Sequence, residues 1–156
     1  MTHPSHWVCT QSDTPAISMA GSGITVSFAA LEDAANRGAQ LLRHLGLKRG
    51  DAFALWSGNN ARFLEIAWAM KRTGLYMVPI PSKFNADEAV YLINDSGSRV
   101  VIVDAGLQHV AELLAQLPQL CPGIEHAFAV CGDLPGLERW ETATLEMPAE
   151  LIADPA

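Results

Sequence analysis

The stretch DAFALWSGNNARFLEIAWAMKRTGLYMVPIPSKFNADEAVYLINDSGSRVVIVD, residues 51–104, decides the fold. Three short runs in it, Ala52 to Trp56, Tyr76 to Ile80 and Val100 to Val103, are almost wholly apolar. A strand with one wet face alternates polar and apolar residues, whereas a strand covered on both faces does not, so these runs predict strands buried in a parallel sheet. Between them, Phe63, Ile66, Ala67 and Met70, then Ala89, Leu92 and Ile93, recur at helical spacing. That spacing gives each of two helices, Ala61 to Thr73 and Ala86 to Asp95, one apolar stripe.

The punctuation agrees. Asn59 or Asn60 can cap the first helix, Lys71 and Arg72 suit the negative end of its dipole, and Gly74 follows its last turn. Asn85 followed three residues later by Glu88 is a capping-box start for the second helix, and Gly97 stops it. Strand and helix alternating with short connections require right-handed crossovers, so the fold class is α/β, a doubly wound, mostly parallel sheet.

Upstream, Ser27 can cap a helix over Phe28 to Leu45, with Leu31, Ala35, Gly38, Leu42 and Leu45 on one stripe and Gly46 at its end. Ala16 to Met19 and Ile24 to Ser27 flank Ala20-Gly21-Ser22-Gly23 and predict a small β-hairpin. The Gly21-Ser22-Gly23 run is no dinucleotide loop, because GxGxxG would need glycine where Val26 stands. Residues 1–14 read as an irregular lead-in. Downstream, Leu107 to Leu117 predicts a helix closed by Pro118, Pro122-Gly123 a turn, and His126 to Val130 a buried strand. Pro135, Gly136 and Pro148 break any period after Gly132. The organisation expected is therefore a lead-in over 1–14, an α/β subdomain over 15–131, and a linker-like tail over 132–156 with one short helix near Leu137 to Thr142.

The 156 residues, 49% of them hydrophobic, suffice for a real core. A formal net charge of −7, with only ten dispersed Lys and Arg, argues against a nucleic-acid partner and against charge-driven binding to an anionic membrane. No apolar run approaches the roughly 20 residues that span a bilayer, and Met1 to Trp7 shows no basic segment followed by an apolar one. Cys9, Cys121 and Cys131 are odd in number and irregularly spaced, which fits reduced thiols and a cytoplasmic location. Charged residues make up 17% of the chain, against roughly 25% in an average soluble domain. Either part of the surface is meant to be covered, or the domain is simply compact and rich in Ala and Leu.

No constellation for catalysis or metal binding stands out. His3, His6, His109 and His126 lack convergent partners, and His44 falls in a last helical turn, where a cation suits the dipole. Asp87 and Glu88 are ordinary first-turn acids, Asp95-Ser96 reads as a turn, and Trp56, Trp68 and Tyr76 read as core aromatics. One place remains open. Pro79 and Pro81 interrupt the second apolar run at its carboxyl end, where open α/β sheets bind ligands, so Ile80 to Asn85 is expected to border a pocket.

The runs Gly46-Leu47-Lys48-Arg49-Gly50-Asp51, Ser57-Gly58-Asn59-Asn60, Arg72-Thr73-Gly74-Leu75-Tyr76, Pro79-Ile80-Pro81 and Ala86-Asp87-Glu88-Ala89-Val90-Tyr91, closing in Asp95-Ser96-Gly97, resemble the N-terminal portion of adenylate-forming (AMP-binding) acyl-CoA synthetases. The match covers roughly residues 10–156, with Ser27 and Phe28 standing for the hydroxyl and aromatic that open the family's first helix. The resemblance implies a parent ligase that activates a carboxylic acid, of the fatty-acyl group, with ATP and magnesium and passes the acyl group to coenzyme A. It implies as partners the remainder of that ligase chain and the acid substrate. The family's phosphate loop is expected just beyond a segment like Leu151-Ile152-Ala153-Asp154-Pro155-Ala156, so no catalytic, cofactor-binding or metal residue is carried over, and the chain alone is expected to bind no cofactor and be inactive. Pro81 stands where the family often has Asn, and Lys83 where its nearest members have a His close by; Lys83 is expected near the substrate or coenzyme A entrance. If a missing part covers one face, the isolated chain is expected to self-associate. A free-standing α/β binding or interaction module without chemistry is the competing reading, since such sheets host many functions.

Overall fold

The computed structural model describes residues 5–108 and 110–152. His3, His109 and the stretch Ala153 to Ala156 lie outside the described residues. The elements run α1 (Ser5–Gln11), β1 (Pro15–Ser18), β2 (Thr25–Ser27), α2 (Phe28–His44), β3 (Ala52–Ser57), α3 (Ala61–Thr73), β4 (Tyr76–Pro81), α4 (Ala86–Asp95), β5 (Val100–Asp104), α5 (Val110–Leu120), β6 (His126–Val130), β7 (Glu138–Arg139) and α6 (Trp140–Leu145). β1 and β2 form the small antiparallel hairpin; the other five strands make one parallel sheet in the order β4-β3-β5-β6-β7.

Successive strand residues point to opposite faces, which explains why the runs do not alternate. Phe53, Leu55, Val100, Ile102, Phe128 and Val130 pack with Leu41 and Leu42 of α2, Ile66 of α3 and Trp140 of α6. Ala54, Trp56, Val101 and Val103 pack on the other face with Ala89 and Ile93 of α4 and Leu113 and Leu117 of α5. Helices on both faces make the sheet doubly wound. Burying each large aliphatic side chain contributes about 1.5–3 kcal/mol, against about 1 kcal/mol for a helix cap, so the two apolar layers carry the stability and the caps set the register.

The caps fall where the sequence puts them. Ser27 Oγ accepts from the Ala30 amide, and Asn60, not Asn59, caps α3 by accepting from the Phe63 amide at 3.1 Å. Both halves of the Asn85–Glu88 capping box are made, at 2.9 and 3.0 Å. Gly74 takes the left-handed conformation (φ 69°) that ends α3. At the amino ends of the strands, Arg99 binds the Asp51 carboxylate and forks onto Glu125, joining the starts of β3, β5 and β6.

Four segments differ from the sequence reading. Residues 5–11 are helical where an irregular lead-in was expected; the Trp7 ring lies tilted against Phe28 with centroids 6.4 Å apart, so a tertiary contact holds a helix too short to show periodicity. The helix expected to close at Pro118 runs to Leu120 with Pro118 inside it. The Cys121 amide still bonds the Leu117 carbonyl and Asn94 Nδ2 donates to the Leu120 carbonyl, so the missing proline N–H costs only one bond near the end. The segment after Gly132 supplies β7 and α6, and Trp140 is buried against Phe128 with ring centroids 5.8 Å apart. Beyond α6, Arg37 of α2 donates to the Leu145 and Met147 carbonyls and Gln40 to the Glu150 carbonyl, fastening the tail along α2. Tyr76, finally, is 67% exposed, because it opens β4, the outermost strand of the sheet.

Candidate functional site

The strand order reverses between two neighbours. The chain leaves β3 through α3 to reach β4 on one side, then returns through α4 past β3 to β5 on the other. β3 is thus followed by a helix on one face and β5 by a helix on the opposite face, and the loops after them part. A crevice at the carboxyl ends of β3 and β5 is the ligand-binding position of open α/β sheets.

Asp104, the last residue of β5, occupies it. Asp104 is only 7% exposed. Its Oδ2 accepts from the Gly58 amide (3.1 Å) and from Asn60 Nδ2 (2.9 Å), with the Ser57 hydroxyl at 3.3 Å; its Oδ1 accepts from the Gly106 amide at 2.9 Å. The loops come so close that a Cβ built at Gly106 would lie 3.3 Å from Oδ1 and one at Gly58 3.5 Å from Oδ2. Asn60 also bonds Ser57 Oγ through its Nδ2 while its Oδ1 caps α3, so one side chain ties the helix start to the carboxylate.

Two adjoining hollows flank this bridge. One of about 370 Å³ is lined by Ser57, Gly58, Asn59, Phe63, Pro81, Ser82 and Lys83, the other of about 540 Å³ by residues 82–85 and 106–108. Ser82 and Lys83 line both. Of the stretch Ile80 to Asn85 expected to border a pocket, residues 81–85 line these hollows while Ile80 is buried beneath them, and Pro81 is held in place by the Trp56 indole, whose Nε1 donates to the Pro81 carbonyl at 3.2 Å. Lys83 is exposed and has no carboxylate partner among the described side chains, so its charge is free for an anionic ligand.

A separate cavity of about 550 Å³ lies between the hairpin, α2, α3 and α6. Arg62 there bonds Glu65 at 2.6 Å and stands 3.6 Å from Glu141, which accepts from the Cys131 amide at 3.0 Å. Glu65 is 6% exposed, and burial pushes its carboxyl above the usual range, against the pull of Arg62. Cys131 is exposed as a residue, yet partial desolvation of its thiol against the protein, with the Asp104 and Glu141 carboxylates adding to the shift, pushes it up to about 11.

The other residues singled out from sequence do not converge on either place. His44 is exposed in the last turn of α2, His6 stands edge-on to Trp7 at 5.1 Å, and His126 opens β6 at the far end of the sheet. Glu88 is committed to its capping box. Among the described residues no three His, Cys, Asp or Glu side chains group to hold a metal. Sequence reasoning missed Asp104 as a bridge. The signal was there: a lone carboxylate closing an otherwise apolar buried strand has no reason to be charged unless something beyond the strand end uses it.

Comparison with known proteins places this geometry. The sequence profile described as "AMP-binding enzyme" matches residues 5–149. Long-chain-fatty-acid--CoA ligase FadD13 of Mycobacterium tuberculosis is 34% identical over 82 residues, covering 53% of this chain and 16% of that protein. Fatty acid--[acyl-carrier-protein] ligase ScoC of Streptomyces coeruleorubidus is 28% identical over 117 residues, 74% of this chain and 22% of its own. Among solved structures, the anthranilate CoA ligase AuaEII in complex with anthranoyl-AMP superposes over 97% of this chain and 28% of that one, with a TM-score of 0.85 at 20% identity. The chain thus spans about a fifth of the length of these curated relatives. With that profile matched over the whole parallel sheet and both its helical layers, the chain belongs to the AMP-binding enzyme family.

Proposed function

We propose that the chain is the N-terminal subdomain of an ATP-dependent acyl-CoA synthetase of the fatty-acyl group. The observation that carries this reading is the family match over residues 5–149 together with relatives named as fatty-acid ligases. In the whole protein, a carboxylate and ATP give an acyl-adenylate and pyrophosphate, and a thiol then takes the acyl group with release of AMP. Nothing in the sequence from Met1 to Ala156 forms the glycine-rich, lysine-bearing loop that cradles a triphosphate, and the described side chains do not group to hold magnesium. The residues present do not fit those groups, so no step of the reaction is assigned to them. What the chain supplies is a rigid wall and a positive rim, Lys83, at the reversal crevice.

Lys83 serves the entrance for the acid or for the thiol acceptor, coenzyme A in this reading. In the full-length protein, Lys83→Ala should raise the KM of one of them; unchanged kinetics for every acid and for coenzyme A would remove Lys83 from the entrance. The reading as a whole is tested by the coding sequence beyond the Ala156 codon. A Ser/Thr/Gly-rich run ending in Lys, in frame within roughly twenty codons, supports it. A stop codon there would favour a free-standing binding module, and so would ATP–pyrophosphate exchange that stays absent in every longer form of the protein. Three free cysteines support a reducing, cytoplasmic setting. Exposed Leu64, Tyr91 and Leu145 are surface that the rest of a longer chain would cover, and sedimentation of the isolated chain as a clean monomer at high concentration would count against that.

A further inference from the structure

We infer that Asp104 is a positioning residue for the entrance: it locks the two loops that part at the strand-order reversal, and through them the walls of both hollows that share Lys83. The inference rests on the acyl-CoA synthetase reading above, and concerns a residue that this reading alone does not single out.

A carboxylate at the end of a buried strand is expensive to desolvate unless its oxygens are fully hydrogen-bonded. Asp104 has no cationic partner within ion-pair distance among the described residues, and is satisfied by neutral donors instead. Ending a strand with a turn would explain only one of them, the Gly106 amide two residues on. Gly58 and Asn60 belong to the neighbouring strand's loop, 46 and 44 residues earlier in the chain. Those bonds cross the reversal point. They set where α3 begins, through the Asn60 cap, and with it the Phe63 wall of the smaller hollow. The Gly106 bond sets the 106–108 wall of the larger one.

Only a carboxylate can do both. In an Asp104→Asn variant, the better amide orientation keeps its single oxygen facing Gly58 and Asn60 and turns the NH₂ against the Gly106 N–H, a donor facing a donor. That variant therefore loosens the 105–108 loop at Gly106, leaving its Ala105–Val130 and Leu107–Asp104 backbone bonds, and keeps the Gly58–Asn60 loop in place. Asp104→Ala loosens both.

The test uses the full-length protein that contains this chain, with steady-state kinetics for acid, ATP and coenzyme A, thermal melting, and amide hydrogen exchange at Gly58 and Gly106. For Asp104→Asn we expect exchange to quicken at Gly106 but not at Gly58, and the KM of the acid or of coenzyme A to rise roughly tenfold. Its kcat, the KM of ATP and the melting temperature should stay close to wild type. Asp104→Ala should quicken exchange at both glycines, raise the same KM further and lower the melting temperature. A quickened Gly106 with all KM values at wild type would overturn the inference, leaving Asp104 a purely structural tie and the ligase reading intact. A fall in kcat with every KM unchanged would also overturn it. Failure of the wild-type protein to form any ATP-dependent thioester would sink the ligase reading, and the inference with it, before any variant is made.

Discussion

Replacing Trp140 by Ala tests whether the segment after Gly132 is part of the folded body. Trp140 is 4% exposed, meets Phe128 edge-to-face at 81° and lies over α2 at Gly38. Truncating a buried Trp costs about 3–5 kcal/mol, and the lost aromatic pair contributes about 0.5–1.5 kcal/mol of that kind of contact. A domain's net stability is about 5–15 kcal/mol, so Trp140→Ala should remove about a fifth or more of it and lower the melting temperature by about 10 °C. Gly38 sharpens the test. A Cβ there would lie 3.1 Å from Ala69 Cβ and 3.1 Å from Trp140 Cζ2, and neither neighbour can retreat, one being fixed in α3 and the other wedged on Phe128. Gly38→Ala should cost about 1–3 kcal/mol of overpacking, offset by about 1 kcal/mol of helix propensity. In the Trp140→Ala background one of the two clashes is gone, so the pair should couple by about 1 kcal/mol. Urea unfolding followed by far-ultraviolet circular dichroism measures all four species. A cost below about 1 kcal/mol for Trp140→Ala, or strict additivity with Gly38→Ala, would show that residues 132–147 are only loosely attached.

Burial lifts Glu65 above 4.5, so the fold holds a proton that the unfolded chain has shed. Its ionised form therefore penalises the fold increasingly as pH rises from about 4.5 through the lifted value. Glu65→Gln should thus gain melting temperature relative to wild type at pH 7 compared with pH 4.5, and a difference that does not change with pH would refute the burial argument. Asp51, whose carboxyl the Lys48 amide and Arg99 hold low, works with the opposite sign: its contribution is present at neutral pH and lost on acidification. In a Cys9→Ser chain, Cys131 is the exposed thiol, and with its ionisation near 11 it should react slowly with a disulfide reagent at pH 8; reaction at the rate of a free cysteine would contradict that. Asn85→Ala removes one half of a complete capping box and should cost about 1 kcal/mol, read by the same urea titration, with no loss meaning that Glu88 alone holds the start of α4.

Four of the sheet's five strands and four of its helices were legible because their cues are local. Ala61 to Thr73 and Ala86 to Asp95 match their helices at both ends, since Asn60, Gly74 and the Asn85–Glu88 pair are side chains and turns that act within four residues. What the sequence hid depends on partners far along the chain. Trp7 finds Phe28, Trp140 finds Phe128, and Arg37 reaches the Met147 carbonyl 110 residues away; no window of neighbouring residues displays such contacts. The site divides the same way. Lys83 and the prolines around it could be placed at a strand's carboxyl end from sequence, whereas Asp104 acquires its role only from the strand order β4-β3-β5, which brings Gly58 and Gly106 to the same carboxylate.

The outermost strand carries a consequence for how this sheet can grow. The Tyr76 amide points inward to the Asp51 carbonyl, so the amides of residues 78 and 80 point inward too, and those of 77, 79 and 81 face the open side. Two of those three are Pro79 and Pro81, which have no hydrogen to give, and the Pro81 carbonyl is already taken by the Trp56 indole. An approaching strand would find one donor, at Met77, over six residues. That side is chemically deaf to edge-to-edge pairing, and prolines so placed are a known guard against fibrillar association. The opposite side differs: β7 shields only Phe128 and Ala129 of β6. Any strand recruited to lengthen the ladder, whether from a longer polypeptide or from another molecule, has one direction open to it.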